Sequence, residues 1–198
     1  MSRLQKGKQL WLLAGGNGAG KSTFYQTRLQ SLGLPFINAD VLAKQLYPEQ
    51  PEQHSYEAAK IAEAMRMQLL KEGRNFCFET VFSHPSKIDF VAQAKAMGYE
   101  IILVFIHLDL VSLNQARIVQ RVSNGGHDVP EKKVRGRIPR TLHNIQQILP
   151  LCDHSYLLDN SRFDNPFQRI AEIHAGQLLM QKEPLPVWAQ ELLKDYVD

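Results

Sequence analysis

The sequence has little of the features that would place a protein in a membrane, in an oxidising compartment or around a structural metal ion. Only two of its 198 residues are cysteine, Cys77 and Cys152, and their spacing matches no metal-binding motif. No apolar run approaches the roughly 20 residues that span a bilayer. The charged amino terminus contains no hydrophobic region of a signal peptide before the first predicted strand, so secretion is not expected. We therefore expect a cytoplasmic protein with reduced thiols.

The sequence also contains no internal repeat and no low-complexity segment. With 198 residues, of which 44% are hydrophobic, it can bury one substantial core. Near the carboxyl end, Pro184 and Pro186 interrupt the chain before a short amphipathic pattern. We expect one domain over residues 1–180 and a helical tail, residues 181–198, that docks on this domain. A partner surface is the alternative role of the tail.

One stretch, from Gly15 to Ser22, predicts a ligand. It matches the pattern G-x-x-x-x-G-K-[ST] of a P-loop without a mismatch, and it lies between an apolar strand and the start of a helix. In such a loop, backbone N–H groups converge on phosphate oxygens, the lysine reaches the β- and γ-phosphates, and the serine hydroxyl coordinates Mg²⁺. The alternative is a glycine-rich turn with no ligand. We expect ATP and Mg²⁺ as cofactors, with nucleotide contacts from Gly15, Gly16, Asn17, Gly18, Ala19, Gly20, Lys21, Ser22 and Thr23.

Apolar runs typical of strands alternate with helical patterns along the chain. The runs lie at about residues 9–14, 34–38, 75–78, 101–108 and 155–158. Alternation of this kind gives a parallel sheet with right-handed crossovers and helices on both faces. The sequence therefore predicts a three-layer α/β P-loop NTPase fold with a five-stranded parallel sheet. The expected strand order, 2-3-1-4-5, is the kinase-type order that a resemblance to P-loop kinases implies.

Three acidic residues follow predicted strands, at the edge where open α/β sheets bind ligands. Glu79 and Asp109 could each help to hold Mg²⁺. Glu79 is favoured, because a helix follows Asp109 directly and gives that residue an alternative role as an N-cap. Asp40 ends the second strand on the acceptor side of the cleft, which suits a base for an attacking hydroxyl. A helical turn begins at Val41, so a helix cap is an equally good interpretation of Asp40.

The formal charge of +3 is unevenly distributed along the chain. The segment from Arg117 to Arg140 contains five arginines, two lysines and two acidic residues. Its formal charge is therefore +5, and that of the rest of the chain is −2. A solvated basic helix is the ordinary explanation. The position after the P-loop also suits an arginine-rich helical lid, about residues 117–140, in which Pro139 should kink or restart the helix. Arg117 and Arg121 share one helix face, and guanidinium groups stabilise charge on a transferred phosphate.

Together these residues resemble the zeta toxin family of P-loop kinases, particularly its shorter bacterial members, from about Leu10 to Ser161. Besides the P-loop, the specific matches are Asn38-Ala39-Asp40, Phe78-Glu79-Thr80, Arg121 to His127, Val129-Pro130-Glu131, Arg135 to Arg140 and Asp159-Asn160-Ser161. The resemblance implies an ATP-dependent kinase, and characterised toxin members phosphorylate a hydroxyl of UDP-N-acetylglucosamine. The region between the matches at Asp40 and Glu79 is shorter here than in the larger toxins.

The resemblance also implies roles for individual residues. Asp40 would be the catalytic base, and Lys21 and Ser22 would hold phosphate and Mg²⁺, the latter together with Glu79. The arginines expected to stabilise the transition state are Arg121 and Arg137. Two further nucleotide contacts are expected at Arg117 and Asn160. The expected acceptor contacts are Asp40, Glu79, Thr80, Ser83 and His84, although a loop histidine with no visible partner is also typical of a surface position.

Three functions stay open from the sequence. The first is a small-molecule kinase acting on a hydroxyl acceptor such as a UDP-amino sugar, and the second is an RNA or nucleotide kinase, whose acceptor binding should weaken steeply with salt. The third is a non-catalytic ATP-binding module that recruits a partner. The first is favoured, because a pure binder needs only the P-loop and not Asp40, Glu79 and the arginines. An antitoxin protein is a further candidate partner that the resemblance raises but one chain does not establish, whereas a membrane and nucleic acid are not expected.

Overall fold

The computed structural model of the chain describes residues 7–108 and 130–197. Its strands and helices in chain order are β1 (Gln9–Gly15), α1 (Lys21–Phe24), β2 (Phe36–Ile37), α2 (Ala39–Leu46), α3 (Ser55–Lys71), β3 (Phe76–Thr80), α4 (Ser86–Ala96), β4 (Glu100–His107), α5 (Glu131–Ile148), β5 (His154–Asp159), β6 (Gln168–His174), β7 (Gln177–Gln181) and α6 (Val187–Leu193). A π-helical turn at Tyr25–Leu29 and a 3₁₀ turn at Gln30–Leu32 continue α1. The helical segment after the P-loop therefore ends at Gly33.

One sheet of seven strands, in the order β2-β3-β1-β4-β5-β6-β7, runs through the described structure. The first five strands in this order are parallel neighbours, which confirms the predicted order 2-3-1-4-5. Because they are parallel, their carboxyl ends share one edge of the sheet. This edge carries the P-loop after β1 and Glu79 near the end of β3. The predicted fold class is confirmed, and the candidate site lies at the edge where ligands bind in such sheets.

The prediction of five strands is incomplete, because an antiparallel hairpin extends the sheet beyond β5. β6 pairs with β5 and β7 pairs with β6, both antiparallel. Ala175 and Gly176 join the two strands with φ values of 48° and 77°. Positive φ at both positions is what a two-residue type I′ hairpin turn requires. Ala-Gly is an uncommon sequence for this turn and β6 mixes polar with apolar residues, so the pattern did not indicate a hairpin.

The core lies on both faces of β1 and β4. Residues Ile101 to His107 of β4 are all buried, as are Leu10, Leu12, Leu13 and Ala14 of β1. One face of the sheet packs against α3, α4, α5 and α6, and the other packs against the helical segment after the P-loop. Burial on both faces explains why β4 is a continuous apolar run without alternation.

Helix α5 connects the predicted lid to the core. Residues 117–129 of that lid lie outside the described residues, and residues 131–140 form the first half of α5. The second half is anchored by Ile145 and Ile148, which are fully buried. Pro139 lies inside the helix, which neither ends nor restarts there. The basic residues of α5 therefore sit on a helix that is fixed at its other end.

The carboxyl-terminal tail belongs to the same core as the sheet. Helix α6 buries Trp188, Ala189, Leu192 and Leu193. Gln146 of α5 also donates a hydrogen bond to the carbonyl oxygen of Glu191, at 3.1 Å. Among the helices described here, none is long and apolar enough to cross a bilayer.

Candidate active site

The P-loop lies close against the end of the sheet, and two of its glycines are required by this packing. Gly15 has a φ of 150°, and a Cβ atom there would collide with the carbonyl oxygen of Ile106. Gly20 has a φ of 94°, and a Cβ atom would lie 2.5 Å from Nδ2 of Asn160. Only glycine combines these φ values with such close approach. The loop can therefore present its backbone N–H groups to a phosphate with no side chain in the way.

Lys21, Ser22 and Glu79 meet at the start of α1. Lys21 is 7% exposed, and its Nζ donates hydrogen bonds to the carbonyl oxygens of Gly15 and Gly16, at 2.9 and 3.0 Å. The same Nζ lies 3.9 Å from Oε1 of Glu79. Ser22 Oγ donates to Oε2 of Glu79, at 3.2 Å. A hydroxyl and a carboxylate side by side are the hard oxygen ligands that Mg²⁺ accepts beside phosphate oxygens, so the residues present fit an Mg²⁺-nucleotide.

One predicted arginine reaches the P-loop. Arg137 of α5 donates a hydrogen bond from Nη1 to Oδ1 of Asn17, at 3.1 Å. Arg140, one turn later, instead donates from Nε to the carbonyl oxygen of Gly136 within its own helix, at 2.8 Å. Arg117 and Arg121 lie outside the described residues. Within residues 7–108 and 130–197, Arg137 is therefore an arginine with a hydrogen bond to the P-loop.

The helix face that carries Arg137 also holds the loop after β3. Thr141 donates from Oγ1 to the carbonyl oxygen of Val81, at 2.9 Å, and Asn144 donates from Nδ2 to that of Phe82, at 3.0 Å. Thr141 and Asn144 are both buried. Phe82 is 1% exposed and has a φ of 63°, an unfavourable value for a bulky residue. The two hydrogen bonds and the burial of the ring hold this backbone conformation in place.

Asn160 supports the P-loop from behind. It is 6% exposed, and its Nδ2 donates to the carbonyl oxygen of Ala19, at 2.9 Å. Its Oδ1 accepts from the backbone N–H of Phe167, at 3.2 Å. Both polar atoms of the side chain are thus engaged within the protein, and the structure gives Asn160 a bracing role. A direct contact with nucleotide stays a prediction for this residue and for Thr23, which is exposed on α1.

Asp40 is exposed in the first turn of α2 and is not the cap of that helix. The cap is Asn38, whose Oδ1 accepts hydrogen bonds from the backbone N–H groups of Asp40 and Val41, at 2.8 and 3.2 Å. The interpretation of Asp40 as a helix cap is therefore wrong. Its carboxylate faces outward at the carboxyl end of β2, where an acid also suits the helix dipole.

The other predicted acceptor residues follow β3. Thr80 Oγ1 accepts a hydrogen bond from the backbone N–H of Phe82, at 3.1 Å. His84 is exposed, and its Nδ1 lies 2.9 Å from Oγ of Ser86 at the start of α4. Ser83 lies between them and is half-buried. The recorded contacts thus join Lys21, Ser22, Glu79, Asn17 and Arg137 into one cluster, whereas Asp40, Ser83 and His84 lie on neighbouring elements of the same edge.

A family model described as an AAA domain, AAA_33, matches residues 10–138 of the chain. The chain belongs to the AAA_33 family. The matched region begins in β1 and ends one residue after Arg137 in α5. It therefore contains the P-loop, Asp40 and Glu79, and it leaves out the hairpin β6–β7 and the tail helix α6.

A relative of this AAA_33 protein is known from Haemophilus influenzae. It is described as an uncharacterized protein and is 32% identical over an alignment of 140 residues, which covers 66% of this chain and 97% of the relative. The similarity extends over almost the whole of the Haemophilus protein and says nothing of its activity.

Solved structures share the fold of this AAA_33 protein at low sequence identity. The AvrRxo1-ORF1:-ORF2 complex with ATP has a TM-score of 0.69 at 16% identity, over 88% of this chain and 60% of that one. The PezAT toxin-antitoxin system of Streptococcus pneumoniae has a TM-score of 0.62 at 17% identity, over 98% of this chain and 86% of that one. The chain thus spans less than two thirds of the AvrRxo1 chain. These structures confirm the resemblance to zeta toxin kinases at the level of the fold.

Three residues that position the site in this AAA_33 protein were missed from the sequence. Asn38 caps α2, and Thr141 and Asn144 hold the loop after β3. Asn38 had a usable signal, because asparagine is a preferred N-cap residue directly before a helical pattern. Thr141 and Asn144 follow Arg137 at helical spacings of four and seven residues, which places all three on one face. Nothing in the pattern says which loop that face contacts.

His107 is a buried titratable residue in the core of this AAA_33 protein. It is 7% exposed at the end of β4, and its ring centroid lies 4.7 Å from that of Trp188 in α6. Burial lowers its pKa from 6.5 to about 4, although the nearby Asp159 acts in the opposite direction. The folded protein therefore holds a neutral imidazole at pH 7.

We expect the pKa of His107 to make the protein less stable as the pH falls from about 6.5 to 4. In this window the unfolded chain binds a proton that the folded protein excludes, so folding loses about 2 kcal/mol by pH 5. Urea unfolding at pH 7 and pH 5 measures this loss. The His107→Gln variant should lose about 2 kcal/mol less than the wild type between these pH values. Equal losses in the two proteins would contradict the assignment.

Proposed function

We propose that the protein is an ATP-dependent kinase that transfers the γ-phosphate to a hydroxyl group of a small-molecule acceptor. The observation that carries the proposal is the cluster of Lys21, Ser22 and Glu79 at a complete P-loop, with Arg137 bound to the same loop through Asn17. A nucleotide-binding module needs the loop alone. The carboxylate beside Ser22 and the arginine on a second element are what phosphoryl transfer adds.

In this mechanism, the residues of the chain bind and orient the triphosphate. The backbone N–H groups of the P-loop hold the phosphates, and Lys21 exchanges the carbonyl oxygens of Gly15 and Gly16 for phosphate oxygens. Arg137 stabilises the negative charge of the transferred group, together with Arg121 of the segment outside the described residues. Ser22 and Glu79 would hold Mg²⁺, which would offset the negative charge of the phosphates when bound.

Asp40 is the proposed base. Its carboxylate accepts the proton of the acceptor hydroxyl while the hydroxyl oxygen forms a bond to the γ-phosphorus and the bond from this phosphorus to ADP breaks. Its exposure and its place at the carboxyl end of β2 support this role. Thr80, Ser83 and His84, with Glu79, border the acceptor side in the proposal. Asn160 and Thr23 lie on the nucleotide side, where Arg117 is also proposed.

The proposed acceptor is a sugar nucleotide or a similar metabolite, such as the UDP-amino sugar that the resemblance to zeta toxins implies. Two of the similar structures are complexes, AvrRxo1-ORF1 with ORF2 and the PezAT toxin-antitoxin system. They support the proposal that an antitoxin-like protein binds this kinase, and a cytoplasmic location is proposed with it.

The alternative, an RNA or nucleotide kinase, is favoured by one observation, the exposed Lys132, Lys133 and Arg135 on α5.

Incubation with γ-labelled ATP and a pooled metabolite extract, followed by identification of the labelled product, tests the proposed function. A labelled small molecule with an alcohol phosphate supports it. Label on RNA or on a nucleotide, with transfer that falls steeply between 50 and 200 mM salt, would favour the alternative. A protein that binds Mg²⁺-ATP and labels nothing in the extract or in RNA would be a non-catalytic module.

Within this assay, Arg137→Ala should reduce turnover by about 10²-fold, because a guanidinium directed at the phosphates then disappears. The affinity for ATP, measured by calorimetry, should change only a few-fold. Arg140→Ala is the matched control, since its guanidinium is bound within its own helix. Equal losses of turnover in the two variants would show that the basic character of α5 matters and not the contact of Arg137.

A further inference from the structure

Two cationic side chains lie on the acceptor side of β3, away from the P-loop. Arg66 of α3 places its guanidinium carbon 4.7 Å from the centre of the Phe78 ring, and Lys87 of α4 places its Nζ 5.9 Å from the centre of the same ring. Phe78 directly precedes Glu79 in the sequence. Because successive side chains of a strand point to opposite faces, the two cations lie near the end of β3 on the face of the sheet opposite to the Glu79 side chain.

Arg66 is buried with its charge incompletely compensated. It is 3% exposed, and its Nε has no hydrogen-bond partner among the described residues. Its acidic neighbour, Glu63, is 60% exposed and lies 3.7 Å from Nη2, beyond hydrogen-bond length. Burial lowers the pKa of Arg66 below its ordinary value. The rings of Phe78 and Phe90 attract the flat face of the guanidinium but cannot accept its in-plane N–H groups.

Lys87 adds a second positive charge to the same place. Burial lowers its pKa, Arg66 lowers it further by repulsion, and Glu63 raises it. Two cations therefore share one solvent-exposed carboxylate. Such an arrangement opposes folding, because buried charge is stabilising only when it is paired and hydrogen-bonded. An oxyanion placed between the two side chains would supply the missing acceptors.

The cations also lie between the helices that border the acceptor side. α3 packs against α2, whose first turn carries Asp40. α4 begins at Ser86, directly after the loop of Ser83 and His84. We propose that Arg66 and Lys87 form an anion-binding subsite for a phosphate or carboxylate group of the hydroxyl acceptor. The proposal rests on the proposed kinase function and narrows its substrates to metabolites that carry an oxyanion as well as a hydroxyl. Glu63 would turn towards solvent when that anion binds.

Binding of inorganic phosphate to the protein saturated with Mg²⁺ and a non-hydrolysable ATP analogue tests the subsite without catalysis. The analogue occupies the P-loop, so further phosphate must bind elsewhere. At constant ionic strength, Arg66→Met and Lys87→Met should each weaken this binding at least tenfold. Lys71→Met is the control, because it removes the same charge from an exposed position on α3. Unchanged phosphate binding in the first two variants, or an equal loss in the control, would overturn the subsite. Acetate is the matching probe for a carboxylate.

The Arg66→Met variant also separates binding from folding. Methionine can fill the space between Phe78 and Phe90 without a buried charge, so the thermal midpoint of the ligand-free variant should be the same or higher. A residue kept for structure alone would show a lower midpoint with unchanged phosphate binding, which would overturn the proposal. Lys87 is half-buried, so the Lys87→Met variant provides an independent test if Arg66→Met does not fold.

Matched acceptors identify the class of substrate. Each set contains three hydroxyl compounds, of which one is neutral, one carries a phosphate and one carries a carboxylate. The transfer of labelled phosphate from γ-labelled ATP to each compound is measured. An anionic member should be used at least tenfold better in kcat/KM than the neutral one, and Arg66→Met should raise its KM without changing the KM for ATP. Equal use of neutral acceptors overturns the subsite and leaves the kinase function intact. Phosphate binding that depends on Arg66 without transfer to any acceptor overturns the kinase function and leaves the subsite intact.

Discussion

Replacing Lys21 with methionine is expected to reduce turnover by about 10³-fold or more and to weaken ATP binding sharply. Lys21 is the first residue of α1, and its Nζ is held within the P-loop by the carbonyl oxygens of Gly15 and Gly16. Its loss removes a positive charge from a partly desolvated triphosphate, where one such group is worth roughly 10²- to 10³-fold in rate alone. Calorimetry with ATP and the labelled-ATP assay measure the two effects.

Thermal unfolding with and without ATP gives a second measurement for Lys21→Met. ATP at 100 times its dissociation constant should stabilise the wild type by about 2.7 kcal/mol, and the variant should gain far less at the same concentration. Lys8→Met, which removes an exposed lysine next to β1, is the control. An ATP affinity equal to that of the wild type would remove Lys21 from the phosphate site.

The second large effect is expected at Asp40. Asp40→Asn keeps the size of the side chain but cannot accept a proton, and the loss of a general base lowers turnover by about 10²- to 10⁴-fold. The affinity for ATP should stay within a few-fold, because Asp40 lies on α2 and its proposed contact is with the acceptor and not with ATP. Steady-state kinetics and calorimetry separate these two quantities.

Glu79→Gln should differ from Asp40→Asn in its requirement for Mg²⁺. Glu79 lies within hydrogen-bond distance of Ser22, so its loss should raise the Mg²⁺ concentration that half-maximal turnover needs. Asp40→Asn should leave this concentration unchanged. A Mg²⁺ titration of turnover for both variants decides between the roles, since a shift for Asp40→Asn and none for Glu79→Gln would exchange them.

The fold could be predicted where the local sequence pattern and the phosphate-binding motif indicate the same strands and helices. The P-loop fixes a strand before it and a helix after it, and the apolar run at β4 requires cover on both faces. The order 2-3-1-4-5 came from the resemblance to P-loop kinases, and the structure has it. The hairpin β6–β7 could not be predicted in this way. Its turn depends on positive φ at Ala175, which alanine adopts only under tertiary constraint.

Site residues could be predicted where their position at the end of a predicted strand or helix is enough to place them. Ser22 and Glu79 lie at strand or helix ends, and the structure joins them by a hydrogen bond. Contacts between distant elements were beyond sequence reasoning, such as Asn160 with Ala19, which are separated by 141 residues. Arg66 was hidden for the same reason, because a helical arginine looks solvated until two rings of β3 and α4 cover it.

Helix α5 cannot slide along its axis without pulling on two loops at once. Arg137 binds Asn17 on the nucleotide side, and Thr141 and Asn144 bind the backbone on the acceptor side. We therefore expect a ligand that displaces one loop to alter the hydrogen bonds of the other, and the two proposed binding steps to be coupled by a free energy of the typical size, about 1–3 kcal/mol. Thermodynamic linkage makes this coupling mutual. The factor by which ATP changes the affinity for the acceptor must equal the factor by which the acceptor changes the affinity for ATP.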